Sequence, residues 1–464
     1  MRWEGSLRNQ HSPQQAPDTS GDVRKSYVWM VASVAAISGF LFGFDTAVIN
    51  GALVFLRSQF GLSNFLTEIA ASSLLFGCLI GAAVAGVFSD RLGRRRSLMG
   101  AALLFTASAI GSAAANNLTI FSFARFAGGL AIGLASALTP IYISEVAPRS
   151  SRGRLVSLNQ LAIVIGILAA YLTNWQLATF GESSWRWMFG TAALPSVGFL
   201  FGLLFIPESP RWLITHGRRE EGYAVLAKIA NPTDASMEVA AIEFSASEES
   251  GDSRELFAPQ MRKRVFIAVS LAILQQISGI NTVLYYGSVL FTEQFHGESA
   301  RAALGANVLV GLVNLICTIV AMAFIDRWGR RGLFLLASGG MAASLAVLAF
   351  SLHVHATPLV TFGSVLLYVA FFAVGLGPGV WVYMAEIFPT RVRGRATSVA
   401  TSALWAACLV VTLTFLSIVE ALGTSSAFLL YAGLSLVTFV FVWKWVPETR
   451  EKSLEEIQQM WSEQ

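Results

Sequence analysis

Charged side chains are scarce: Asp, Glu, Lys and Arg make up 13% of the 464 residues, about half of what a soluble domain carries. With 55% of residues in the set AVILMFWYC and a mean hydropathy of +0.61, there is too little polar surface to cover a water-soluble particle. Cysteine is nearly absent, and Cys78, Cys317 and Cys408 each sit inside an apolar stretch. That excludes a disulfide framework and a cysteine-based metal site. The few histidines, His11, His216, His296, His353 and His355, fall in tails, in a polar linker or near the ends of apolar runs. No catalytic constellation is visible, and no cofactor or metal is implied. Residues 1–26 lack an apolar h-region and read as a disordered polar tail with no cleaved signal peptide. What the chain does have is long apolar runs, which make it an integral membrane protein.

A hydrocarbon core about 30 Å thick needs roughly 20 apolar residues per helix, and twelve stretches of that order are present. Their limits fall near 27–54, 66–88, 97–116, 120–146, 156–177, 186–206, 266–292, 301–325, 332–353, 359–386, 397–418 and 425–446. The expected fold class is therefore all-α, with 12 transmembrane helices. Between the sixth and seventh runs, residues 207–265 are polar and of mixed charge, with Arg218, Arg219, Glu220 and Glu221 adjacent. They read as a linker with short helices outside the bilayer, and residues 447–464 as a second tail. Basic residues follow the second, fourth, sixth, eighth and tenth runs, as at Arg94, Arg154, Arg211, Arg330 and Arg395, while the other side holds little beyond Arg57, Arg186 and Arg301. The excess of Lys and Arg in cytoplasmic loops places both termini in the cytoplasm. The same bias explains the pI near 9.0, and no basic face for nucleic acid is present.

An internal repeat divides the chain. Asp90, Arg91, Gly93, Arg94 and Arg95 recur as Asp326, Arg327, Gly329, Arg330 and Arg331; Glu145, Pro148, Arg152 and Gly153 recur as Glu386, Pro389, Arg393 and Gly394. A looser echo links Pro207, Glu208 and Arg211 to Pro447, Glu448 and Arg450. Each copy lies about 240 residues after the first and behind the corresponding run, so two six-helix halves, 27–206 and 266–446, flank the linker. With Pro140, Tyr142, Ser144, Ser209 and Pro210, with Gln275, Gln276, Ser278, Gly279, Ile280, Asn281, Tyr285 and Tyr286, and with Pro447, Glu448, Thr449 and Arg450, these motifs resemble the sugar porters of the major facilitator superfamily. The resemblance spans residues 40–457. It implies a substrate site at the midplane between the halves and a rocking motion around it.

The charge clusters at the inner helix ends admit two readings. One is topology plus a solvated loop. The other is a conformational latch, with Glu145 paired to Arg91 or Arg95, Glu386 to Arg327 or Arg331, and Asp90 and Asp326 capping or pairing locally. Retention of the carboxylates in both copies favours the latch, and the resemblance implies that these clusters, with Arg152 and Arg393, stabilise the state closed to the cytoplasm.

Asp45 lies inside the first membrane run and Arg125 inside the fourth. Each costs roughly 2.5–3.5 kcal/mol at mid-membrane. Counting along the oppositely directed helices puts both in the outer half, within reach of each other. An adjacent Arg favours the ionised carboxylate and burial disfavours it, so separating the two switches Asp45 between proton donor and acceptor. A purely structural ion pair is the other reading. Sugar porters similar to this chain at both positions are typically proton symporters, whereas many facilitative members are neutral at the first.

Sugar hydroxyls donate and accept, so their site wants amides, plus an aromatic face for the ring. The seventh run holds Gln275, Gln276, Asn281, Tyr285 and Tyr286. At about 100° per residue Gln276 and Asn281 fall on opposite sides of the face that carries Gln275 and Tyr286, which predicts a local break near Gly279. Gln160 and Asn314 add amides in apolar surroundings, where interhelical hydrogen bonding is an alternative role; Trp381 follows the bendable Gly375, Gly377, Pro378 and Gly379, with an interfacial anchor as its alternative. The resemblance places Gln160, Gln275, Gln276, Asn281, Asn314 and Trp381 at the sugar, with Trp405 close by. Ile167 stands where some members have a second amide, Leu404 where many have Asn or Gln, and Glu451 where Gly is usual.

The leading function is import of a monosaccharide, hexose or pentose, with a proton, by a monomer in the plasma membrane's lipid bilayer. A facilitative uniporter and a non-transporting sugar sensor are the alternatives; a channel is disfavoured because no ring of like residues lines a path.

Overall fold

The computed structural model describes residues 19–148, 151–248, 258–294, 300–388 and 392–449, and every regular element among them is a helix. The first set of spans comprises α1 (Thr19–Phe60), α2 (Asn64–Leu92), α3 (Arg94–Ala114), α4 (Leu118–Val146), α5 (Arg152–Leu177), and then α6 (Ser184–Gly190) with α7 (Ala193–Phe205). Three short helices follow, α8 (Pro210–Thr215), α9 (Arg219–Ile229) and α10 (Pro232–Glu248). The second set comprises α11 (Pro259–Ile277) with α12 (Ile280–Gln294), α13 (Ala300–Trp328), α14 (Arg330–His353), α15 (Pro358–Val374) with α16 (Leu376–Ile387), α17 (Arg393–Leu422) and α18 (Thr424–Trp445).

Among the described residues, eleven helical stretches are long and apolar enough to span a bilayer. One of them, residues 152–205, runs for 54 residues, about 80 Å if straight and far more than one crossing needs. Gly181, at φ 75 in the 3-10 turn Ala178–Ser183, interrupts it, so it makes two passes and the total is twelve. Local chemistry sets the other boundaries. Ser63 accepts from the Leu66 N–H at the start of α2, and Asn117 from the Ile120 N–H at the start of α4, the N-cap arrangement that satisfies an orphan donor. The tail expected over 1–26 needs correcting: the backbone is already helical from Thr19, because nothing in the polar sequence before Ser26 breaks the helix. Residues 1–18 and 450–464, the remainder of the two expected tails, lie outside the described residues.

Packing within the first set depends on small residues. Gly77 and Gly81 on α2 face Gly129 and Gly133 on α4, and a Cβ at Gly129 would stand 1.8 Å from the Leu74 carbonyl oxygen. Backbones that close are the signature of small-xxx-small helix contacts in membranes, where dispersion replaces the hydrophobic effect as the driving force. Between the two sets, α1 meets α12, α2 meets α17, and α5 meets α13. Asn50 on α1 and Glu68 on α2 make hydrogen bonds across these seams.

Candidate functional site

Asp45 on α1 and Arg125 on α4 are both buried, and Arg125 Nη1 donates to Asp45 Oδ1. Its Nη2 donates to the Asp45 main-chain oxygen at 2.7 Å, and the guanidinium lies 4.9 Å from the centre of the Phe189 ring. Two hydrogen bonds and a π face offset part of the desolvation cost of the buried cation. The pair that sequence reasoning placed at similar depth is in direct contact.

The seventh span breaks between α11 and α12, with Gly279 at φ 88, a backbone angle that glycine adopts without strain. A Cβ there would also stand 2.7 Å from the Tyr431 ring. The break matters because it removes the helical phase that would hold Gln276 and Asn281 apart. Asn281 Nδ2 donates to Gln276 Oε1, Gln276 Nε2 donates to Gln275 Oε1 at 3.1 Å, and Gln275 Nε2 donates to the Leu376 carbonyl at 2.6 Å. Three amides thus form one chain, anchored where the tenth span breaks at Gly375. Asn281 Nδ2 also lies 3.0 Å from Cys408 Sγ on α17, a weak acceptor.

The remaining expected contacts divide. Gln160, half-buried on α5, and Asn314, buried on α13, make no side-chain hydrogen bond to the described residues. Trp381 is half-buried on α16. Trp405 packs its ring 5.5 Å from that of Phe42 across the seam, and its buried Nε1 has no partner among the described residues. Tyr286 is not joined to the amide chain: its hydroxyl donates to the Thr412 carbonyl at 2.8 Å and its ring stacks on Phe415. Ile167 and Leu404 are buried and apolar.

At the basic ends of the helices the expected pairings need correcting. Glu145 is held by Arg94, not by Arg91 or Arg95, through Nε at 3.0 Å and Nη2 at 3.1 Å. Glu386 is held by Arg330, not by Arg327 or Arg331, at 2.8 Å. The reason is backbone phase. Gly93 and Gly329, at φ 91 and 76, end one helix and start the next, so Arg91 and Arg327 remain exposed on the preceding helix. Arg95 turns away, donating to the Leu203 and Leu204 carbonyls, and Arg331 to that of Trp443. Asp90 lies 3.8 Å from Arg94, and Arg152 is exposed at the start of α5. The side chains of Asp326 and Arg393 lie outside the described residues. Both ion pairs lie within one set of spans.

Glu208 and Glu448, quoted in the sequence only as motif members, cap these helix starts. Glu208 Oε1 accepts the Arg94 and Arg95 N–H groups at 2.8 and 3.0 Å, and Glu448 accepts those of Arg330 and Arg331 at 2.9 and 3.0 Å. Carboxylates complement the positive ends of helix dipoles.

The end opposite the basic loops carries contacts that sequence reasoning missed. Glu68, fully buried near the start of α2, accepts from the Ser417 N–H at 2.8 Å and the Ser417 hydroxyl at 2.7 Å on α17. Asn50 on α1 donates to the Leu284 carbonyl at 2.8 Å and accepts from the Ser288 N–H at 3.0 Å, while the Tyr171 hydroxyl donates to the Leu284 carbonyl at 3.0 Å. A further bond, from Ser398 to the Ala82 carbonyl at 3.3 Å, lies nearer the basic end. An acidic residue one turn inside an apolar run is the signal that could have singled out Glu68.

The profile of the family described as "Sugar (and other) transporter" matches residues 31–461. The chain is 37% identical to the arabinose-proton symporter of Bacillus subtilis (strain 168), over 94% of this chain and 95% of that one. It is also 37% identical to the D-xylose-proton symporter of Escherichia coli (strain K12), over 94% and 96% respectively. Among solved structures, the major facilitator superfamily proton:xylose symporter XylE bound to 6-bromo-6-deoxy-D-glucose superposes with a TM-score of 0.83 at 36% identity, over 94% of this chain and 100% of that one.

Proposed function

Since this chain belongs to the sugar transporter family of the major facilitator superfamily, we propose that it imports a monosaccharide, a hexose or pentose, together with a proton by alternating access. The observation that carries this reading is the buried contact between Asp45 and Arg125. The Arg125 guanidinium neutralises the Asp45 carboxylate; a rearrangement within the first half that draws Arg125 away leaves a desolvated carboxylate that takes up a proton. The amide chain of Gln275, Gln276 and Asn281 is the core of the sugar site. Gln160, Asn314, Trp381 and Trp405 complete it, and Tyr286 supports α12 against α17. The names of the similar arabinose-proton and xylose-proton symporters support both substrate class and coupling.

The halves 27–206 and 266–446 rock about this site, with the linker 207–265 and both termini on the cytoplasmic face of the plasma membrane. The bonds of Asn50, Glu68 and Tyr171 then lie on the extracellular side, so this arrangement is closed outward. The clusters of Asp90, Arg91, Arg95, Glu145 and Arg152 and of Asp326, Arg327, Arg331, Glu386 and Arg393, with Arg94 and Arg330 added, govern the cytoplasmic side. The protein works as a monomer in the lipid bilayer, as a secondary transporter and not an enzyme, without a cofactor. Asp45→Asn tests the coupling role. Accumulation against a gradient should be lost while sugar counterflow persists; loss of sugar binding as well would recast Asp45 as a structural residue.

A further inference from the structure

Asp45 has one carboxylate oxygen engaged by Arg125 and one that is not. Oδ1 takes the Nη1 bond, whereas Oδ2 accepts no hydrogen bond from a described residue. Beside Oδ2 stands Gly128, one turn along α4 from Arg125 on the same face. A Cβ at Gly128 would lie 3.0 Å from Asp45 Oδ2 and 2.4 Å from Ser108 Oγ on α3. The missing side chain therefore lets the carboxylate and the hydroxyl close over the α4 backbone, with no room left for a Cβ. The two oxygens are no further apart than those two distances laid end to end, a span that one water bridges with two hydrogen bonds.

Ser108 is one of four serines, with Ser112, Ser122 and Ser435, whose buried hydroxyl meets no partner among the described residues. Buried serines in membrane helices ordinarily return their hydroxyl to the carbonyl one turn back, as Ser72 does to Glu68, Ser97 to Gly93, Ser196 to Ala192 and Ser338 to Phe334. Ser108 is buried, and its Oγ has no hydrogen-bond partner. An unspent hydroxyl beside a carboxylate oxygen is costly unless something joins them.

We propose that Ser108 is the positioning residue for the transported proton: directly or through one water, its hydroxyl serves Asp45 Oδ2, donating while the carboxylate is ionised and accepting the O–H when the proton sits there. The inference rests on the coupling role proposed for Asp45. Ionised Asp45 gains more from this hydroxyl than neutral Asp45 does, because Arg125 leaves Oδ2 without a donor and a hydrogen bond to a charged group is the stronger kind. Neutral Asp45 carries a buried O–H, and Ser108 supplies the acceptor that this O–H needs. The charged and titratable groups facing Asp45 are Arg125 on α4 and the Cys78 thiol on α2; the substitutions below leave both in place.

The test is the pH profile of gradient-driven sugar uptake in proteoliposomes. Ser108→Ala penalises the ionised form more than the protonated one, so half-maximal uptake should move to higher pH by about one unit, a tenfold tighter proton affinity. Gly128→Ala, whose Cβ would stand 2.4 Å from Ser108 Oγ and push the hydroxyl away, should shift the profile the same way. Exchanging the two residues in Ser108→Gly/Gly128→Ser moves the hydroxyl across the gap and should restore the wild-type profile. A wild-type profile in Ser108→Ala overturns the inference. So does a Ser108→Ala shift accompanied by loss of sugar exchange at acid pH, which marks a structural role. Continued accumulation by Asp45→Asn would instead remove the coupling role itself, a result separable from either.

Discussion

Glu68 holds the two halves together at the end remote from the basic loops, through the Ser417 N–H and hydroxyl. In the state open at that end α2 and α17 part and the carboxylate is hydrated, so the bonds favour only the closed arrangement. Hydrogen bonds to a charged group contribute about 1.5–3 kcal/mol each, roughly twice their neutral counterparts. Glu68→Gln keeps the shape and removes the charge assistance, which takes about 1.5–3 kcal/mol from the closed arrangement over the two bonds. Relief of the carboxylate's desolvation returns part of this. About 1.4 kcal/mol remains, a tenfold fall in the ratio of closed to open. Adding Asn50→Ala removes the bonds to Leu284 and Ser288, each about 1 kcal/mol, and multiplies the shift. The assay is double electron-electron resonance between nitroxides at Ser58 and Leu422, both exposed at the far ends of α1 and α17, in a background without Cys78, Cys317 and Cys408. A longer-distance population should grow in Glu68→Gln, less in Ser417→Ala, and most in the double variant. Distance distributions identical to wild type in all three would refute the clasp.

Three further outcomes follow from the geometry. Arg94→Ala breaks the two-point contact with partly buried Glu145 and should cost about 1–3 kcal/mol, read as a lowered melting temperature, whereas exposed Arg91→Ala should leave it unchanged; equal effects would contradict the corrected pairing. Gly279→Ala forces a side chain into φ 88 and against the Tyr431 ring, at about 1–3 kcal/mol, and should weaken sugar binding measured by calorimetry; wild-type affinity would contradict the role of the break. Asn281→Ala removes the amide that joins Gln276 to Cys408 and should weaken sugar affinity about tenfold, with the proton dependence of residual uptake unaltered.

Much of this architecture is legible in the sequence because the bilayer imposes it. Apolar length fixes the passes, and the contact of Asp45 with Arg125 follows from counting depth along two oppositely directed helices. The break at Gly279 was readable as a phase conflict: an unbroken helix cannot bring Gln276 and Asn281 to one ligand. Where the reading failed, the backbone had changed phase. Arg91, Arg94 and Arg95 are equivalent as letters, and only the left-handed turn at Gly93 makes Arg94 the partner of Glu145. Glu68, Asn50 and Ser108 escaped notice for another reason. Each is a single polar residue in an apolar run, and its meaning comes from a helix more than twenty residues away in sequence.

On the proposed mechanism the proton gradient drives sugar uptake through Asp45. The most direct test is uptake of labelled D-xylose, L-arabinose and D-glucose into proteoliposomes, with and without an inward proton gradient. At least one sugar should accumulate above its external concentration only with the gradient present, and a protonophore or Asp45→Asn should return it to equilibrium. Uptake that merely equilibrates, at the same rate with or without the gradient, would contradict the account.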